Sequence, residues 1–207
     1  MNHPGCTRAA LLIGSLLLAL APSSRAANPT PPCEACHGAH GEGMAAAHVP
    51  RLAGQSADYL QKQLDDYADG TRDNPIMANF AKALSRQQRA RFAARYASMP
   101  APIIVKPEAI DTVTLARGHQ LAYQGDETRR VPACNACHGP DGIGVAYAAP
   151  YLAGQSAEYL ASALKAFGQG TRKNDAGELM RSIAERLNDA DIAAVAGYFA
   201  SLTSASR

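Results

Sequence analysis

Apolar residues recur at helical spacing in matching stretches of the two halves of the chain. Tyr59, Leu60, Leu64 and Tyr67 share one face of a helix that Ser56 can cap and Gly70 can end. Tyr159, Leu160, Ala163, Leu164 and Phe167 repeat that face after Ser156, with Gly170 near the stop. Ser85 and Gln88 form a capping box ahead of Phe92, Ala93 and Tyr96, and Asn188 opens a counterpart carrying Ile192, Val195, Ala196 and Phe199. No run of alternating β-branched residues competes with these segments, so the predicted fold class is all-α. Large apolar side chains are few and alanine is common. Small domains of that kind have thin cores and need a staple or a cofactor.

One apolar run has a different character. Ala9 to Ala21 follows the single positive charge of Arg8 and leads into Pro22-Ser23-Ser24-Arg25-Ala26-Ala27, the order of a secretory signal peptide cleaved after Ala26 or one residue later. As a helix it would cover about 20 Å, short of a ~30 Å hydrocarbon core. No stable membrane span is expected, with an uncleaved anchor or peripheral association with a membrane as the alternatives. Cys6 precedes the run and is discarded with it. Without Arg8 and Arg25 the chain carries 18 basic and 18 acidic side chains, a balance that gives a nucleic-acid partner no support. Four cysteines then remain in an exported chain, as two Cys-x-x-Cys pairs.

The chain is a duplication. Arg51-Leu52-Ala53-Gly54-Gln55-Ser56-Ala57-Asp58-Tyr59-Leu60 returns as Tyr151-Leu152-Ala153-Gly154-Gln155-Ser156-Ala157-Glu158-Tyr159-Leu160, and Gly70-Thr71-Arg72 returns as Gly170-Thr171-Arg172. Between the halves, Met99-Pro100-Ala101-Pro102 through Pro107 is suited to an extended linker. The expected organisation is a signal peptide over 1–26, an N-terminal domain over 27–101 and a C-terminal domain over 102–207.

Cys33-Glu34-Ala35-Cys36-His37 and Cys134-Asn135-Ala136-Cys137-His138 carry the attachment signature of haem c. One turn of backbone presents both sulfurs to the two vinyl groups and aims the imidazole at the iron from the same side. Structural zinc prefers its two cysteine pairs some 15 to 20 residues apart, whereas 97 residues separate Cys36 from Cys134. A thioredoxin-like redox pair requires a βαβ pattern that is absent here, and simple disulfides give no reason for a histidine after each pair. For the second axial position, Met77 follows Gly70-Thr71-Arg72-Asp73-Asn74 as Met180 follows Gly170-Thr171-Arg172-Lys173-Asn174. Two methionines in equivalent places of a haem-binding repeat predict Met77 and Met180 as ligands opposite His37 and His138. Met44, His40, His48 and His119 have no such counterparts. Arg72 and Arg172 are candidates to pair with haem propionates, or else solvated loop arginines.

These residues resemble class I cytochromes c, and the tandem arrangement is similar to dihaem cytochromes of the c4 type, over nearly all of residues 28 to 203. The resemblance implies two such domains, each wrapped round a covalent haem c. It implies thioether bonds at Cys33, Cys36, Cys134 and Cys137, ligation by His37, Met77, His138 and Met180, and proximal rings oriented by the carbonyls of Pro50 and Pro150. It implies an electron carrier of the bacterial periplasm, without enzymatic activity, working between redox proteins such as a quinol-oxidising cytochrome complex and a terminal oxidase. The alternatives are the haem subunit of a periplasmic dehydrogenase, a dihaem peroxidase or a thiosulfate-oxidising enzyme. The family's helix before the attachment site is supplied by residues 112–124 in the second half. In the first half, Asn28-Pro29-Thr30-Pro31-Pro32 forbids it. The stripe at Phe92 and Tyr96 is therefore expected to need cover from the other domain or a partner.

Overall fold

The computed structural model describes Met1 and residues 33–101, 110–145 and 149–202. The signal peptide, residues 28–32, the linker from Pro102 to Pro107 and Ala148 lie outside the described residues. The first half contains helices α1 (Cys33–His37), α2 (Ala57–Asp69), α3 (Pro75–Lys82) and α4 (Arg86–Ala97). The second contains α5 (Thr112–Tyr123), α6 (Asn135–His138), α7 (Ala157–Gly168), α8 (Leu179–Ala184) and α9 (Asp189–Ser201). Among the described residues β structure is limited to three isolated antiparallel bridges.

Helix ends follow the cap chemistry. The Ser56 hydroxyl accepts from the Tyr59 N–H, and Gly70 closes α2 with φ +88°. Ser85 and Gln88 satisfy each other's backbone at the start of α4, and Asn188 accepts from Asp191 N–H at the start of α9. Side-chain caps of this kind contribute about 1 kcal/mol each. The α7 helix stops at Gly168, slightly before Gly170, whose φ of +66° carries the chain away.

Packing is unequal in the two halves. In the second, α7 lies on α8 and α9, and α5 crosses α9. Gly118 makes that crossing close, since a Cβ there would stand 2.2 Å from the Ala194 carbonyl oxygen. Leu121, Ala122, Val131, Leu160, Val195, Ala196, Tyr198 and Phe199 form the resulting core. In the first half the buried cluster is only Leu60, Ala93 and Tyr96. Nine residues of α9 are buried against two of α4.

The repeat explains the difference. Where α9 meets α5 with Ala194 and Tyr198, α4 has Arg91 and Arg95, both exposed, and Arg95 pairs with Glu34 at 2.6 Å. The first half has thus adapted its outer face to water. This corrects the expectation about Phe92 and Tyr96. Tyr96 is buried within its own half, against Gly41 and in one cluster with Leu60 and Ala93. Gly41, at φ +69°, has no Cβ to hold the ring off, as Gly142 has none to hold off Phe199. Only Phe92 is left half-buried.

Four charged groups tie α5 to α9. Arg117 donates to Asp191 and Asp126 at 2.8 Å each, and Arg129 donates to the same two carboxylates. Burial alone would raise the Asp191 carboxyl, but the hydrogen bonds from Arg129 and Arg117 outweigh it and hold it below the usual range. A depressed carboxyl stabilises the fold above the unfolded-state value of about 4 and loses that contribution as pH falls through its folded value. Thermal melts between pH 7 and pH 3 should therefore show the second half weakening below about pH 4. Asp191→Asn should flatten that dependence; an unchanged slope would remove Asp191 from the account.

The halves meet along a buried polar seam with near two-fold symmetry. Gln55 donates to the Tyr151 carbonyl at 3.0 Å and accepts from Tyr151 N–H at 2.9 Å. Gln155 does the same to Arg51, at 3.0 and 2.9 Å. Arg72 stacks on Tyr67 and donates across to Tyr159, while Arg172 stacks on Phe167 and donates across to Tyr59. Neither is a solvated loop arginine. Burial would raise the Tyr159 phenol, but these two guanidiniums hold it at about 8.

Candidate haem sites

Each Cys-x-x-Cys-His run is one short helical segment. In α1, Cys33 is half-buried beside Leu60 and Tyr96, Cys36 is exposed and His37 is buried. In the second copy, Cys134 is half-buried with its N–H and thiol directed at the Leu121 carbonyl, at 3.3 and 3.4 Å, while Cys137 is exposed and His138 buried. All four thiols are free. Burial pushes Cys33 up and Cys134 to about 11. A redox-active dithiol needs the opposite shift, so these pairs are poor exchange catalysts.

The histidines are oriented before any ligand is considered. His37 Nδ1 lies 2.9 Å from the Pro50 carbonyl, and His138 Nδ1 lies 3.0 Å from that of Pro150. A carbonyl only accepts, so each Nδ1 carries the proton and each Nε2 keeps its lone pair. Burial lowers both imidazoles, outweighing the carbonyl bond, and favours that neutral form. The backbone closes the same loops: Gly43 and Gly144 donate to the carbonyls of His37 and His138 at 2.7 Å.

Met77 and Met180 are both partly buried and sit at matching places, on α3 against α2 and on α8 against α7. Their local supports differ. Asn74 caps α3 by accepting from Met77 N–H at 3.0 Å. The Met180 helix is entered through Gly177 and Glu178, with φ of +60° and +58°, and Asp175 accepts from the Arg181 backbone and guanidinium. Met44 is 48% exposed. His40, His48 and His119 are exposed, the last stacked on Tyr123.

Among the described residues no three His, Cys, Asp or Glu side chains gather to hold a bare metal ion, so the cysteines form no zinc cluster. The donor set in each half is two free thiols, one neutral imidazole with its Nε2 available, and one thioether on a separate helix. That set fits haem c. The seam residues Gln55, Gln155, Tyr59, Tyr159, Gln63 and Asn174 escaped the sequence reading. The available signal was a glutamine repeated inside the otherwise apolar Leu-Ala-Gly-Gln-Ser segments.

The chain matches the cytochrome c family twice, over residues 30–114 and 115–203. It is 50% identical over 173 residues to a thiosulfate dehydrogenase electron acceptor from Stutzerimonas stutzeri, covering 82% of this chain and 78% of that one. The reduced cytochrome c4 of Pseudomonas stutzeri superposes with a TM-score of 0.76 at 34% identity, over 83% of this chain and 94% of that one. A thiosulfate dehydrogenase (TsdBA) from Marichromatium purpuratum also superposes at 0.76, with 38% identity over 82% of this chain; the chain spans only 36% of that longer protein. No helix of the described residues is long and apolar enough to cross a membrane. Duplicated sequence, paired imidazole turns and likeness agree: the chain belongs to the cytochrome c family, as an electron carrier of the c4 type with two covalently bound haem c groups.

Proposed function

We propose that Cys33, Cys36, Cys134 and Cys137 form the thioether bonds, that His37 and His138 are the proximal ligands, and that Met77 and Met180 are the distal ones. On this reading the mature protein begins after the signal peptide over 1–26. Its domains divide near residue 101, ahead of α5, which packs on α9. It works in the periplasm as the electron acceptor of a thiosulfate dehydrogenase and passes electrons on towards a terminal oxidase. The observation that carries the choice of donor is the 50% identity to an acceptor of that kind across most of both chains. The likeness to cytochrome c4 favours a second reading, in which a quinol-oxidising complex is the donor.

Bound haem c supplies a one-electron ferric/ferrous couple, and a thioether ligand favours the ferrous state. The chain's own residues determine how that couple is used. The proline carbonyls hold the imidazoles in one tautomer and orientation, so a change of iron charge demands little movement. Met77 and Met180 would give each iron a thioether donor in addition to its imidazole, which would leave a substrate or peroxide no open site.

Two measurements test this. Met180→Ala should abolish about half of the sulfur-to-iron charge-transfer band of the oxidised protein, because one of two equal sites is lost; an unchanged band refutes the ligand assignment. The native reduced protein should be inert to carbon monoxide at neutral pH, and rapid binding would indicate a catalytic haem. For the donor, the oxidised protein is mixed with a thiosulfate dehydrogenase and thiosulfate. Reduction of both haems is expected, and reduction only by a quinol-oxidising complex would select the second reading.

A further inference from the structure

The two methionine loops are held differently, and the difference crosses the seam. In the first half Asn74 is exposed and acts locally, capping the helix that bears Met77. Its repeat partner Asn174 has left that role. The segment from Asn174 to Met180 is three residues longer than that from Asn74 to Met77, and Asp175 supports the α8 entry instead.

Asn174 is gripped from the other half. Its Nδ2 donates to Gln63 Oε1 at 2.9 Å and to Asp66 Oδ2 at 2.6 Å. Its backbone carbonyl accepts from Lys62 Nζ at 2.9 Å, and its Oδ1 accepts from Arg172 Nε at 2.9 Å. Gln63 and Asp66 are buried, and the Gln63 oxygen also receives Arg72 and Arg172. The first loop reaches the other half through Arg72, which donates to Tyr159, but Asn74 itself has no such grip. The repeat partners of Lys62, Gln63 and Asp66 are Ser162, Ala163 and Ala166, too short or too apolar to make the grip.

We infer that Gln63 and Asp66 of the first half are positioning residues for the second haem. Through Asn174 they brace the loop that carries Met180, so docking of the halves sets how firmly methionine is retained at the second iron and not at the first. This rests on the ligand assignment proposed above. A hydrogen bond to a charged carboxylate inside a buried seam is among the stronger ones, and its loss should be felt as about a tenfold change.

The test uses the complete dihaem protein in two backgrounds, Met77→Ala and Met180→Ala, each retaining one methionine site. Imidazole is titrated against the oxidised protein while the sulfur-to-iron band is followed. In the Met77→Ala background, Asp66→Ala should let imidazole displace methionine at about tenfold lower concentration. The conservative Asp66→Asn, which keeps an acceptor for Asn174, should restore most of that resistance. In the Met180→Ala background neither change should matter. Should Asp66→Ala lose haem or fail to fold, Asn174→Ala gives the same test from the loop side of the contact. An unchanged imidazole midpoint in the Met77→Ala background, or equal shifts in both, overturns the inference. If Met180→Ala leaves the band whole, the ligand assignment has failed instead.

Discussion

A chain with Cys33 and Cys36 both changed to serine is expected to carry one covalent haem in place of two and to lose ordered structure in its first half. The buried apolar cluster there is Leu60, Ala93 and Tyr96, with Leu52 and Met99 packed against it and Cys33 itself at the edge, and Ala53, Tyr67 and Ala81 are buried outside it. Burying so few side chains, half of them alanine, falls well short of the entropy of ordering the residues from Cys33 to Ala101. The exposed arginines of α4 offer no further apolar area. The second half has an α5–α9 crossing and a larger cluster, so the matching change at Cys134 and Cys137 should leave more residual helix. Intact mass counts the haems, and hydrogen exchange on α2 and α4, set against α5 and α9, locates the loss. Protection of α2 and α4 that survives the first double change would mean the haem is not the core of that half.

Much of this architecture was legible because it rests on local chemistry repeated twice. Ser56, Ser85, Ser156 and Asn188 each cap a helix through their own side chains, and such caps act on residues only three positions away. The attachment turns were legible for the same reason, since two thiols and an imidazole within five residues need no distant partner. What the sequence hid is long-range. Tyr96 was misread because its cover is a glycine, Gly41, whose contribution is the absence of a side chain. Asn174 looked like a copy of Asn74. Three added residues ahead of Met180 freed it to bond Gln63 and Asp66, more than a hundred positions away.

The seam governs the second large expected effect. In the Gln55→Leu, Gln155→Leu double variant the backbones of Arg51 and Tyr151 lose the four hydrogen bonds that glutamine gives and receives across the interface. Each glutamine oxygen also accepts from the N–H of the following serine, at the start of α2 and α7. Buried polar groups deprived of such bonds cost ~1–3 kcal/mol each, so the loss reaches several kcal/mol. Leucine restores no part of it, having neither donor nor acceptor. The halves should separate while each keeps its haem, because no glutamine touches a proposed ligand. Small-angle scattering should then report a larger radius of gyration, electron exchange between the haems should slow, and haem content should stay at two. The single variants should each cost less than half of the double, since one intact glutamine still holds the seam in register. Scattering indistinguishable from the native protein would mean that the arginine–tyrosine crossings, and not the twin glutamines, keep the two redox centres together.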